Sequence, residues 1–194
     1  MQHVVRDTSQ IGLGVVSIVA SRHNTAEAKA MAKDIRLRLG AIGVVVSSAL
    51  DGRVEMAACI EKLARETGSV FGRASVGLRL DLSPVYVQER AAVSIALVAI
   101  ELLANAYHHA FVDRPFGSIE IALAAATDRW ARLCIADNGI GIAPEIAANW
   151  PRHLPRGKHG GLSTAHRLVH SLGGQLHLTC SGGTRFEFSF PRLP

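Results

Sequence analysis

The pattern of apolar positions opens with two helical stripes. From His3 to about Arg22, Val4, Val5, Ile11, Val15, Ile18 and Val19 recur near helical spacing in spite of Gly12 and Gly14. His23-Asn24-Thr25 breaks the pattern. Thr25 then serves as an N-cap for a second helix from Ala26 to about Leu50, with Met31, Ile35, Leu39, Ile42 and Val46 as its stripe. Two helices joined by a short turn make an antiparallel hairpin, and a hairpin alone cannot bury both stripes, so a second copy completing a four-helix bundle is expected. Asp51-Gly52 is a turn dipeptide, and it divides the chain into a hairpin at 1–52 and a second domain at 53–194.

Beyond the turn, strands enter. Val54 to about Thr67 reads as an amphipathic helix carrying Met56, Cys59, Ile60 and Leu63 on one side, and Val76 to Leu82 alternates as a half-buried strand stopped by Ser83-Pro84. A long, mostly apolar helix runs from about Gln88 to Phe111. Ser118–Ala126 and Trp130–Asn138 pair around Thr127-Asp128-Arg129. The stretch from Ala143 to Lys158 is broken by Pro144, Pro151, Pro155 and Gly157 and reads as a basic loop; a helix from Ser163 to Ser171 follows. Leu176–Cys180 and Thr184–Phe190 close the chain as a hairpin, with Phe186, Phe188 and Phe190 on one face. The fold class is α+β: a helical hairpin, then a mixed sheet packed against helices.

Composition narrows the picture. With 194 residues, 48% of them hydrophobic and 19% charged, the chain is globular rather than disordered. The net charge of +5 suits an anionic ligand or an acidic partner, but there is no basic run interleaved with aromatics to suggest nucleic acid. Cys59, Cys134 and Cys180 lack metal-ligand spacing and are odd in number, which points to a reducing compartment. No signal peptide or membrane-spanning run is read, Ile95–Leu103 being interrupted by Glu101, and the expected location is cytoplasmic.

The chemistry concentrates at Ile135-Ala-Asp-Asn-Gly-Ile-Gly-Ile142. A short apolar strand drives into Asp137 and then into Gly139 and Gly141, residues that permit close backbone approach. At the mouth of a cleft, the Asp137 carboxylate can accept a hydrogen bond from an exocyclic amine. In the long helix, Glu101, Asn105 and His108 or His109 fall three to four residues apart and share a polar face among apolar ones. An asparagine amide oxygen is a suitable hard ligand for Mg²⁺. Gly160-Gly161-Leu162 opens a helix whose first backbone amides form an anion site.

In this order and spacing, Glu101-Leu-Leu-Ala-Asn105-Ala-Tyr-His108-His109, Asp137-Asn-Gly-Ile-Gly141, Gly157-Lys-His-Gly-Gly161-Leu162 and Gly183-Thr184 resemble the N, G1 and G2 boxes of the GHKL ATPases, the Bergerat-fold group that includes histidine kinases and gyrase. The resemblance covers about 54–194. It implies a Bergerat-type sandwich that binds ATP and Mg²⁺. Asn105 is then the metal ligand, Glu101 the supporting acid or base, and His108, beside His109, the residue near the phosphates. Asp137 reads adenine; Gly139, Gly141 and Thr184 belong to the nucleotide-binding set, and Gly160, Gly161 and Leu162 with the lid hold phosphates. The basic loop corresponds to an ATP lid. Which of Arg152, His153, Arg156 and Lys158 meets a phosphate stays open, Lys158 being carried as the binding position. The second glycine box departs from the family at His159, where relatives have the middle glycine.

His3-Val-Val-Arg6-Asp7-Thr8 is similar to the start of the dimerisation and phosphoacceptor hairpin in the HisKA_2 and HWE groups of histidine kinases. On that resemblance His3 is the phosphoacceptor, and Asp7, at i+4, can hold one ring nitrogen protonated while the other acts as nucleophile. Val4 and Asp7 differ from the residues usual there. The implied function is a homodimeric histidine kinase core passing a phosphoryl group to the receiver domain of a response regulator. Two alternatives stand beside it: a histidine phosphotransferase or regulator-binding scaffold with a degenerate ATP site, and an anti-sigma-type serine kinase.

Overall fold

The computed structural model describes residues 25–72, 75–151 and 161–194. Among them the order is α1 (Ala26–Ser48), β1 (Arg53–Glu55), α2 (Met56–Phe71), β2 (Val76–Leu82), β3 (Tyr86–Gln88) and α3 (Glu89–Asn105), which runs on into a π-helical turn (Ala106–Ala110). Then come β4 (Gly117–Ala125), β5 (Trp130–Asp137), α4 (Pro144–Ala148), α5 (Gly161–Ser171), β6 (Leu176–Cys180) and β7 (Thr184–Pro191).

Five strands form one sheet in the order β2-β4-β5-β7-β6. Only β2 and β4 run parallel; the other pairs are antiparallel, so the sheet is mixed as the sequence predicts. The strand period of two sorts the side chains. Ile119, Ile121 and Leu123 of β4, Leu133 and Ile135 of β5, and Phe186, Phe188 and Phe190 of β7 are all buried on the face covered by α2, α3 and α5. The opposite face carries charge, with Arg132–Glu187 at 3.3 Å and Arg79–Glu120 at 3.6 Å. Exposed pairs of this kind contribute little to stability, and the apolar layer holds the sandwich.

Helix α3 is the centre of that layer. It is buried on nearly every side, from Ala92 to Leu103, because α1, α2, α5 and the sheet all pack on it. Together with the π turn it is long and apolar enough to cross a membrane, yet most of it is buried here as a core helix.

Three local departures from the sequence reading have physical causes. Helix α2 starts at Met56 rather than Val54, because the Glu55 carboxylate accepts the Ala57 and Ala58 N–H groups at 2.8 and 2.9 Å and caps the helix. Val54 is thereby freed for a two-stranded ladder with Val87 of β3. Within the loop expected from Ala143 to Lys158, Pro144 occupies the first helical position of the short α4.

The third departure concerns α1, which buries a different face from the one expected. Leu37, Ala41, Val44 and Val45 of α1, with Ala49 just past its end, join the main core against α2 and α3, so that mostly small and β-branched residues make the intramolecular contact. Of the anticipated stripe, Val46 is buried, Ile35, Leu39 and Ile42 are half-buried, and Met31 is exposed. The first helix of the expected hairpin, with His3 and Asp7, lies outside the described residues.

Candidate functional site

A cavity of about 410 Å³ opens between the ends of β5 and β7, the π turn and the start of α5. Its walls are apolar, with Leu102, Ile135, Ile142, Leu162 and Phe186, and its polar groups are Asn105, His109, Asp137 and Thr184. A mostly apolar pocket of this size with a few convergent polar groups suits a small organic ligand.

Asp137 sits there because β5 ends at it, in register with Ile119 of β4 on one side and Thr184 of β7 on the other. Its Oδ1 accepts the Gly139 N–H at 2.9 Å and the Thr184 N–H at 3.2 Å. Burial pushes the carboxyl above the usual aspartate range, while those two N–H groups and the Thr184 hydroxyl pull it back. The neighbouring Asn138 has structural work: its Oδ1 accepts the Ser118 N–H at 2.8 Å and ties the turn to β4. Asn138-Gly139 therefore does not form a hairpin, the alternative that this dipeptide favours in isolation.

The glycines of this turn make close contact with the protein itself. A Cβ on Gly139 would lie 2.5 Å from the Ala110 Cβ and 2.6 Å from its carbonyl carbon, and the Ile140 N–H donates to that carbonyl at 2.8 Å. Gly141 is needed for its φ of +81°. Gly183, at φ +143°, faces the Asp137 carbonyl with no room for a side chain.

The polar stripe of the long helix is redistributed by the π turn. Asn105 is half-buried and lines the cavity. In a continuous α-helix His108 at i+3 and His109 at i+4 would both lie toward its face. In the π turn from Ala106 to Ala110, with its i→i+5 bonds and fewer degrees of rotation per residue, His108 swings away and His109 lines the cavity. His108 packs edge-on to Phe71, with ring centroids 4.4 Å apart, and burial, His109 and Lys33 hold its pKa below the usual value. A wide turn of this kind leaves no periodicity signal. Glu101 does not line the cavity: it is 8% exposed, and its Oε1 meets the Arg38 guanidinium at 2.6 Å. Burial pushes its pKa up, Arg38 opposes this, and Asp34 adds to it.

Leu162 lines the cavity wall, and Gly161 is the first residue of α5. Lys158, His159 and Gly160 lie outside the described residues, as do His3 and Asp7. Sequence reasoning gave no role to Trp150. Its indole N–H donates to the Leu176 carbonyl at 3.3 Å and its ring packs on Phe186 at 5.5 Å, fixing the end of the α4 segment beside the cavity wall. Val112 and Ile140, both substantially exposed, form an apolar lip that the sequence reading did not include. Among the described residues, no cluster of three or more His, Cys, Asp or Glu could hold a metal unaided. The donor set fits Mg²⁺ only in company with phosphate oxygens and water, the way this ion is usually held.

A two-layer sandwich with an end-of-sheet cavity, a carboxylate on its floor and an asparagine at its edge defines the class. The chain belongs to the histidine kinase-, DNA gyrase B-, and HSP90-like ATPase family, whose family model matches residues 91–194. It is 27% identical over 146 residues to the blue-light-activated histidine kinase 2 of Erythrobacter litoralis, a match covering 75% of this chain and 40% of that one. The chain thus spans less than half of that relative. Among solved structures it is similar to the histidine kinase domain of the Erythrobacter litoralis EL346 blue-light-activated kinase, with 23% identity, a TM-score of 0.73, and coverage of 91% of this chain and 92% of that one. The mycobacterial sensor histidine kinase MprB matches at 20% identity and a TM-score of 0.58 over 73% of this chain and 99% of that one. These likenesses establish the Bergerat-type α+β fold.

Proposed function

We propose that this chain is the kinase core of a two-component signalling system of the HisKA_2/HWE type, binding ATP with Mg²⁺ and phosphorylating His3, from which the group passes to an aspartate of a receiver domain. The observation that carries the reading is the cavity itself. Asp137 is held by the Gly139 and Thr184 amides on an otherwise apolar floor, which suits the exocyclic amine of a planar base. Asn105 stands where a metal-bound polyphosphate would leave the pocket, and Leu162 of the first turn of α5 lines the same cavity, a helix start being where unpaired backbone N–H groups favour an anion. Bound ATP and Mg²⁺ would supply the transferable phosphoryl group and the neutralising charge.

The chain's own part is positioning. Asp137 orients the base, the apolar walls exclude water, Asn105 places the metal, and His3 presents a ring nitrogen to the γ-phosphorus with ADP as leaving group. The half-buried stripe Ile35, Leu39 and Ile42, with Met31 exposed beside it, supports pairing of α1 with the N-terminal helix and a second copy. The test is incubation with γ-labelled ATP and Mg²⁺ alongside His3→Ala and Asn105→Ala. Acid-labile, base-stable label lost in both variants supports the kinase. Absence of both label and nucleotide binding would replace it with the phosphotransferase or scaffold reading, and phosphoserine on a partner with the serine-kinase reading.

A further inference from the structure

Glu101 is a buried acid that is not part of the cavity lining. Its two oxygens are engaged by different elements. Oε1 is 2.6 Å from the Arg38 guanidinium of α1, and Oε2 lies against the first residue of α5, so close that a Cβ on Gly161 would overlap it. Arg38 also reaches Asp34, one helical turn earlier, at 3.3 Å. A buried carboxylate without a partner is costly and tends to take up a proton. Among the described residues, the charged groups acting on Glu101 are Arg38 and Asp34, both on α1. Asn105 lies one turn further along α3 from Glu101.

The same helix touches the other end of this stripe. Lys33 stands 4.1 Å over the Phe71 ring, which also packs edge-on with His108. Helix α1 therefore braces the stripe at Glu101 and at His108 through its inner face, while Met31 on its outer side is open.

We propose that Arg38 is a positioning residue for the reaction: by holding Oε1 of Glu101 it sets Oε2 at the start of α5, where the phosphate end of the cavity lies. The setting of α1 against α3 thereby reaches the nucleotide site. The inference rests on the functional reading above and deepens it.

The experiment compares wild type, Arg38→Met, Arg38→Lys, Glu101→Gln and the Arg38→Met/Glu101→Gln double variant. Nucleotide affinity is read by titration with a fluorescent ATP analogue, and transfer by single-turnover labelling. Arg38→Met is expected to slow labelling by about tenfold to a hundredfold, the scale of a misplaced reacting group, while affinity stays within about twofold. Arg38→Lys restores most of the rate, and the double variant is no slower than Glu101→Gln. In parallel, the Glu101 carboxyl band, identified in infrared difference spectra against Glu101→Gln, titrates at higher pH in Arg38→Met than in wild type.

Equal labelling rates in wild type and Arg38→Met, additive losses in the double variant, or an unmoved carboxyl band would each overturn the inference. A wild type that binds no nucleotide overturns the functional reading and this inference with it. A wild type that binds without labelling overturns the transfer reading alone, and the infrared comparison then decides the role of Arg38.

Discussion

Replacing Gly139 with alanine tests whether the turn after β5 is locked against α3 by the absence of one carbon atom. The new Cβ would stand 2.5 Å from the Ala110 Cβ and 2.6 Å from its carbonyl carbon. Carbon atoms in good contact sit about 3.5–4.0 Å apart, so the two segments must separate by roughly 1 Å. Neither yields easily. Ala110 ends the π turn of the core helix, and the turn is tied on its other side by the Asn138–Ser118 pair and by the Gly139 N–H on Asp137 at 2.9 Å. Overpacking of this kind costs about 1–3 kcal/mol. The Ile140–Ala110 hydrogen bond, 2.8 Å now, is stretched as well, adding about 0.5–1.5 kcal/mol. The sum is about 1.5–4.5 kcal/mol, or roughly 3–18 °C in Tm for a chain of this size. Thermal unfolding followed by circular dichroism measures it, with Gly173→Ala as control. Gly173 has φ +73° and open space around it, so its alanine variant bears only backbone strain, about 1–2 kcal/mol. A Gly139→Ala protein melting within a degree of wild type, or no lower than the Gly173→Ala control, would refute the argument.

Asp137→Asn keeps an oxygen for the Gly139 and Thr184 amides but loses the anionic acceptor, so nucleotide affinity falls about tenfold to a hundredfold in titration, the scale of a charged hydrogen bond, while Tm is unchanged or higher. Burial raises the pKa of Asp137 from its ordinary 3.8 and that of Glu101 from 4.5. The folded state therefore keeps these protons to higher pH than the unfolded chain, and the associated stability, present below those ordinary values, is lost as pH rises through the folded values. Urea unfolding of wild type against Asp137→Asn over that acidic range should show the steeper decline with rising pH in wild type. His109→Ala weakens nucleotide binding severalfold whereas His108→Ala does not, because only His109 lines the cavity; equal effects in the same titration would contradict the placement made by the π turn. Glu55→Ala removes the cap on two amides of α2 and lowers unfolding stability by about 1 kcal/mol in a urea titration.

Long elements with one strong period were legible. Helix α3 announces itself as a long, mostly apolar run, and strands β4, β5 and β7 because each buries one face at a period of two. The three-residue β1 and β3 did not, since a strand that short has no period and exists through its partner. Asp137 and Asn105 could be placed in one cavity from motif order, but the Arg38–Glu101 pair could not, because nothing near Arg38 in sequence marks its partner on α3. Helix α1 was misjudged in its buried face for a simpler reason: large apolar residues dominate a stripe on paper, whereas Ala41, Val44 and Val45, with Leu37, join the core.

The glycines of the motifs carry a related lesson. In sequence they read as places of close backbone approach or as parts of the glycine boxes, and each of Gly139, Gly161 and Gly183 is needed first for an approach within the protein, to Ala110, Glu101 and the Asp137 carbonyl. The three contacts join the turn after β5 to the core helix, the start of α5 to that same helix, and the start of β7 to the end of β5. They are the joints at which the cavity walls meet. A glycine motif that frames a pocket in this way constrains the site even before any ligand arrives, and variants at these positions should lose stability and affinity together. Gly141 has a different basis. Its φ of +81° sets the turn, and its Cβ position meets only the Gly183 carbonyl at 3.5 Å, an ordinary contact. Alanine there would strain the backbone by about 1–2 kcal/mol without a clash. Its effect on stability should therefore match that of Gly173→Ala, and any loss of nucleotide affinity beyond that control would report the ligand's own contact with the turn.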